Sequence, residues 1–169
     1  FQLSSTAETL AGLTYMADLV IEFSPPHQSN EKLFRMVKAC LEATATAPSD
    51  LHTILRYFEV WLLKLEGFLP DIRQCAECRG QFNESKAAYV GSDLMFRCVA
   101  CSRGIGTALS QRLYGQLRAT QNRGPYVFAE ESRQVPAKTL REMAQLTQQL
   151  ISRALERQPR VRPTFLTSL

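Results

Sequence analysis

Four cysteines in two pairs place the tightest constraint on what this chain can fold into. They read Cys75-x2-Cys78-x19-Cys98-x2-Cys101. Two intervening residues let both sulfurs of a pair turn toward one point. Two such knuckles, brought together by a hairpin, complete a tetrahedron at about 2.3 Å per metal–sulfur bond. Gly80 and Gly104 lie just past the knuckles, where the chain must turn tightly. The spacing predicts one zinc ion held by Cys75, Cys78, Cys98 and Cys101. Disulfides need an oxidising compartment, and no export signal precedes them. A redox pair needs one Cys-x2-Cys opening a helix in a βαβ unit, and an iron–sulfur cluster is the remaining alternative. Four thiolates fill zinc's coordination shell, so the site reads as structural rather than catalytic. Binding worth about 10–16 kcal/mol at neutral pH rivals the stability of a domain. Without metal, residues 71–106 are expected to lose their fold. Cys40, on an apolar helical face, reads as a small buried hydrophobe.

Around this module the pattern is helical. Residues 5–24 form an amphipathic segment, with Ser5-Thr6-Ala7-Glu8 as a capping box and Leu10, Leu13, Ala17, Val20 and Ile21 at helical spacing. Pro25 and Pro26 stop it. Asn30 can cap a second helix carrying Leu33, Met36, Val37, Cys40 and Leu41. A third helix follows Ala47-Pro48-Ser49, with Leu51, Ile54, Leu55, Phe58, Leu62 and Leu65 as its stripe and Gly67 as its stop. Met36, Phe58 and Trp61 read as core. Ala88-Tyr89-Val90 and Leu94-Met95-Phe96 flank Gly91-Ser92-Asp93, predicting a β-hairpin. Helical spacing resumes at Leu109, Leu113 and Leu117, then a polar loop contains Gly124-Pro125. Pro136 lies near the start of a long helix carrying Leu140, Met143, Leu146, Leu150, Ile151 and Leu155, closed by Pro159 and Pro163 before an Arg-rich tail. The expected fold is mainly α: a helical bundle-like domain over residues 1–169 with a zinc-ribbon-like β-hairpin insertion at 71–106.

The 169 residues suffice for one such domain, and 45% apolar with 21% charged residues is ordinary for a globular protein. No apolar run reaches the roughly 20 residues of a membrane span, and no leader-like start is present, so the chain reads as soluble and unsecreted. It begins at Phe1 without an initiator Met and so reads as a fragment of something longer. The net charge of +4 is unevenly spread. Residues 1–72 hold 5 Lys+Arg against 9 Asp+Glu, and residues 73–169 hold 15 against 7, a net −4 and +8. Four thiolates and one Zn²⁺ lower the second figure to +6. That half can face a polyanion or be a solvated surface. Arg97, Arg103, Arg112, Arg118 and Arg123 are the candidate phosphate contacts.

An enzyme is not expected. His27 follows two prolines and His52 reads as a surface residue near a helix start; neither sits in a catalytic motif. Gly104-Ile105-Gly106 lacks a third glycine and a preceding Rossmann strand, and Glu130-Glu131 reads as a solvated loop pair.

Leu55-Arg56-Tyr57-Phe58-Glu59, Leu62-Leu63, Gly67-Phe68-Leu69-Pro70 and Cys75-Ala76-Glu77-Cys78 resemble the RecO recombination mediator family of bacteria. The second knuckle, the Glu31-Lys32-Leu33-Phe34 helix and the closing long helix fit too. The resemblance implies the family's helical and zinc-binding parts, without its N-terminal OB-fold. It implies a cytoplasmic, nucleoid-associated DNA repair protein that binds single-stranded DNA and RecR, loads RecA onto strands coated by single-strand-binding protein (SSB), and anneals complementary strands. RecR contact would lie mainly on the OB-fold. Arg160-Val161-Arg162-Pro163-Thr164 departs from the family's more usual Lys-Ser-Arg-like run. The helical domain is further implied to receive the acidic, Phe-ended tail of SSB. Arg56, at the matching position, can fork onto a carboxylate beside Val60, at the edge of the Leu55 and Phe58 stripe. The alternative for Arg56 is an exposed pair with Glu59 worth about 0.3–0.5 kcal/mol. The alternative for the whole chain is a zinc-stapled interaction scaffold with no DNA contact of its own.

Overall fold

A computed structural model describes residues 7–24, 30–82 and 88–156. Ser5 of the expected capping box, the Pro25-Pro26 stop, His27, and the tail with Pro159 and Pro163 lie outside them. The helices are α1 (Ala7–Phe23), α2 (Glu31–Thr46), α3 (Leu51–Leu65), the single turn α4 (Val99–Ser102), α5 (Gln111–Asn122), α6 (Pro125–Ser132) and α7 (Ala137–Ala154). Strands β1 (Ala88–Val90), β2 (Phe96–Cys98) and β3 (Thr107–Ala108) make an antiparallel sheet in the order β2-β1-β3. This is the mainly helical body with a small sheet that the cysteine spacing and the helical periods predict.

The third helix is the axis of the body. α3 touches α1, α2, α5, α6 and α7, and ten of its fifteen residues are buried. A helix surrounded in this way needs apolar residues on most of its faces, as Leu51, Ile54, Leu55, Phe58, Val60, Leu62 and Leu63 provide. Gly67, at φ 80°, ends it where expected, and Phe68 N–H reaches back to Leu63 O at 2.7 Å. Asn30 caps α2, its Oδ1 accepting from Leu33 N–H at 3.0 Å.

The inward face of α1 differs from the expected one. Leu10 and Ile21 are 64% and 73% exposed, and Thr9, Gly12, Tyr15, Met16, Leu19 and Phe23 point inward instead. Both sides of this helix carry apolar residues, so its period alone cannot orient it. The larger side chains win, and Gly12 lets the helix approach α3: a Cβ there would stand 2.9 Å from Leu51 Cδ1.

Two further corrections concern the second half. The expected loop at Gly124-Pro125 is the start of α6, with Pro125 in its first turn, where the missing amide proton costs nothing. Glu130 and Glu131 therefore lie on a helix. In the hairpin, Leu94 and Met95 belong to the turn, and β2 begins two residues later than expected, with Val90 opposite Phe96 and Ala88 opposite Cys98. Leu94, at φ 59°, takes the left-handed conformation.

Candidate metal centre

The first knuckle is built by its own backbone. Cys75 N–H bonds Gly80 O at 2.9 Å, Arg79 N–H returns to Cys75 O at 3.1 Å, and Gln74 bridges Gln81. The turn is taken at Arg79 (φ 60°) rather than at Gly80. Gly80 serves differently: a Cβ there would press on Cys78 Sγ at 3.3 Å. In the second knuckle Cys98 precedes α4, and the chain leaves through Arg103 (φ 51°) and Gly104 (φ 75°), where the tight turn was expected. The two halves are joined by Ala76 N–H to Phe96 O at 2.8 Å.

This backbone gathers the four sulfurs of Cys75, Cys78, Cys98 and Cys101 within 4.8 Å of one another. Cys78 Sγ and Cys98 Sγ are 3.9 Å apart. Thiolates about 2.3 Å from a shared tetrahedral centre stand about 3.8 Å apart, whereas a disulfide requires about 2.05 Å. The cluster therefore has the dimensions of a four-sulfur metal site. Cys75 is buried, which pushes its thiol up, but backbone amides of Cys78, Cys98 and Glu77 stabilise the thiolate and bring it down to about 6. Cys98 N–H points at Cys75 Sγ at 3.4 Å. Cys101 is pushed up to about 12, through hydrogen bonding with Cys98 and Cys78 first and burial next. A thiolate favoured at one corner and a shared proton at another is what a cation at the centre would replace with four thiolates. Cys40 stands apart, fully buried in α2 and pushed up to about 12 by that burial.

The five arginines expected to meet phosphate fall into two groups. Arg97 is clamped inside the hairpin: its Nη1 and Nη2 reach Asp93 Oδ1 and Oδ2 at 2.8 and 2.5 Å. That fork holds the Asp93 carboxyl well below the usual carboxylate range. Arg123 pairs with Glu131 at 3.1 Å. Arg103, Arg112 and Arg118 are exposed, and among the described residues no carboxylate pairs with them. Arg118 shares a cleft with Lys64 and Arg73, two cations that sequence reasoning passed over because they are distant along the chain.

Arg56 is not the exposed clamp that its position implied. It is 3% exposed, and its Nη2 lies 2.8 Å from Oε1 of the fully buried Glu59. Glu59 also accepts from Tyr15 of α1 at 2.8 Å and from Thr147 of α7 at 2.5 Å. The pair is thus an interior ion pair between three helices. The contact is poorly aligned, leaving Arg56 Nη1 and Nη2 without a hydrogen-bond acceptor. Leu55, Phe58 and Val60 are completely buried, so α3 offers no open slot for a Phe. His52 is half-buried and bonds Glu8 at 2.8 Å. Among the described residues, no helix is long and apolar enough to cross a membrane.

Comparison with known proteins agrees with this architecture. The family model described as Recombination protein O C terminal matches residues 4–163. The DNA repair protein RecO of Dehalococcoides mccartyi is 33% identical over 75 residues, 44% of this chain and 29% of that protein. That of Anaeromyxobacter sp. is 28% identical over 95 residues, 56% of this chain and 37% of that protein. In Pelobacter propionicus the figures are 27% over 117 residues, 69% and 46%. The matched stretches span less than half the length of these relatives. With residues 4–163 of its 169 matched by the family model and its helices and sulfur cluster in place, the chain belongs to the RecO family, of which it carries the C-terminal part.

Proposed function

We propose that this chain is the helical and zinc-binding part of a recombination mediator acting in the bacterial cytoplasm at the nucleoid. It binds single-stranded DNA and cooperates with SSB and RecR to load RecA and anneal strands. The match to the family model over residues 4–163 carries this reading. Residues 1–169 would act as one unit, with 71–106 as an insertion. One Zn²⁺ would be held by Cys75, Cys78, Cys98 and Cys101 as a staple; the sulfur-only donor set at tetrahedral spacing favours zinc over harder cations. The function is binding rather than catalysis, and the +8 half supplies the attraction for a polyanion.

The test is binding of a labelled single strand to the zinc-loaded chain at rising salt. Affinity should fall steeply as salt rises, by about 0.7 in log–log slope for each phosphate contact. No binding at low salt would leave the zinc-stapled scaffold as the better reading.

A contact between Arg56 and the tail of SSB is part of the same proposal, but it meets Arg56 as a buried residue paired with Glu59. Arg56 is 3% exposed and its Nη1 and Nη2 lack a hydrogen-bond acceptor, so a tail carboxylate would reach them only through a rearrangement that opens this interior site. Titrating a labelled tail peptide against wild type and Arg56→Ala tests this, and equal affinities would exclude Arg56. RecR would be met mainly by the part of the protein that the longer relatives possess beyond the matched region.

A further inference from the structure

We propose that the cleft between the end of α3, the Leu69–Arg73 segment and α5 binds one phosphodiester of a nucleic-acid strand, through Lys64, Arg73 and Arg118. This inference rests on the strand-binding reading above and assigns that contact a place. The cleft encloses about 320 Å³, at the small end of ligand sites and of the order of one nucleotide unit. Its single acid is already engaged. Asp71 Oδ1 accepts from Arg73 N–H at 2.8 Å, and Oδ2 from Gln74 Nε2 at 2.8 Å. Arg73 Nε lies loosely at 3.5 Å from the same carboxylate. Lys64 and Arg118 have no carboxylate partner among the described residues.

The cations are held in place. Lys64 Nζ stands 4.2 Å from the centre of the Trp61 ring and bonds Gln121 Oε1. Trp61 is itself anchored by its Nε1–H to Thr120 O at 2.7 Å. Arg118, Gln121 and Asn122 share one face of α5 by their three- and four-residue spacing. Burial, and then the Arg73 guanidinium, hold Lys64 below the ordinary lysine range. Like charges gathered in a concavity repel one another, and an anion placed among them removes that repulsion. A phosphate fits better than a peptide carboxylate. Arg103 and Arg112 are likewise exposed and have no carboxylate partner among the described residues, so a repeating polyanion has further cations to use where a single peptide carboxylate does not.

Trp61 is the one tryptophan of the chain, so its emission reports on Lys64. The experiment titrates the zinc-loaded chain with an oligothymidylate, reading Trp61 emission together with the anisotropy of an end label over a salt series. Binding should shift the emission. Lys64→Gln, Arg73→Gln and Arg118→Gln should each lower the log–log salt slope by about 0.7 and the triple variant by about 2, with the emission shift lost. Lys32→Gln, on an exposed position of α2, should leave both the emission shift and the salt slope intact. Helicity and zinc content are checked for each variant. If the triple variant does not fold, Arg118→Gln, on an exposed helical position, decides. Strand binding with an unchanged slope in the cleft variants overturns this site and leaves the proposed function standing. No binding by the wild type overturns both. An emission shift with an acidic peptide but not with the strand would make the cleft a peptide site and overturn the proposal.

Discussion

Replacing Glu59 by Gln should be among the most damaging single changes to the helical body. The carboxylate is completely buried and holds Arg56, Tyr15 and Thr147 at once. Gln keeps the shape but removes the charge, leaving the Arg56 guanidinium, 3% exposed, without its counter-ion. Breaking one side of a buried pair costs about 3–5 kcal/mol. An exposed pair at the same spacing would cost about 0.2–0.5 kcal/mol. For a chain of this size the larger figure lowers the melting temperature by roughly 6–20 °C. The assay is urea unfolding of the zinc-loaded protein, followed by circular dichroism at saturating free zinc. Arg56→Met combined with Glu59→Leu should recover most of the loss, since apolar packing can replace a buried ion pair. A Glu59→Gln cost under about 1 kcal/mol, or a double variant as unstable as the single one, would refute the interior pair.

Cys75→Ser should abolish stoichiometric zinc and Cys40→Ser should leave it unchanged, as read by elemental analysis; equal zinc in wild type and Cys75→Ser would sink the four-sulfur assignment. Gly106→Ala should cost roughly 1–3 kcal/mol in the same unfolding assay, because Gly106 has φ 108° and a Cβ there would stand 2.4 Å from Val90 O. An alanine variant of wild-type stability would show that β3 does not need this approach to β1. Metal affinity should rise with pH: the proton on Cys101, held to about 12, must leave for the ion to bind, and below about 6 Cys75 is protonated too. Zinc retention measured with a chromophoric chelator should therefore fall as pH drops through 6, and a flat profile between pH 5 and 8 would contradict it.

What could be read from the sequence was encoded locally. The two Cys-x2-Cys knuckles carry their geometry in their spacing, and the α3 stripe buries itself whatever its neighbours are. The misreadings share a different cause. Arg56 and Glu59 look like a surface pair at i,i+3, because the residues that enclose Glu59, Tyr15 and Thr147, lie 44 and 88 positions away. The face of α1 was decided by how Gly12 meets Leu51, a contact between helices that no single-helix period contains. Gly124-Pro125 reads as a break until one asks what Pro does at the first position of a helix, which is to start it. The cleft of Lys64, Arg73 and Arg118 exists only once α5 has folded back beside α3.

The apolar core runs without interruption from Tyr15, Leu55 and Phe58 to Ile72, Cys75, Phe82 and Phe96, and Phe82 meets Tyr114 of α5 edge to face, with ring centres 6.2 Å apart. Cys75 is at once a sulfur of the cluster and a member of that core. Metal-binding free energy at the proposed site would therefore be shared with the helices rather than confined to residues 71–106. By mass action, each tenfold rise in free zinc above the dissociation constant adds about 1.4 kcal/mol to the folded state. Against a total stability of about 5–15 kcal/mol, two decades of zinc depletion remove about 3 kcal/mol. On the proposed zinc assignment, the cell's zinc buffer would then help set how much of this protein survives its proteases.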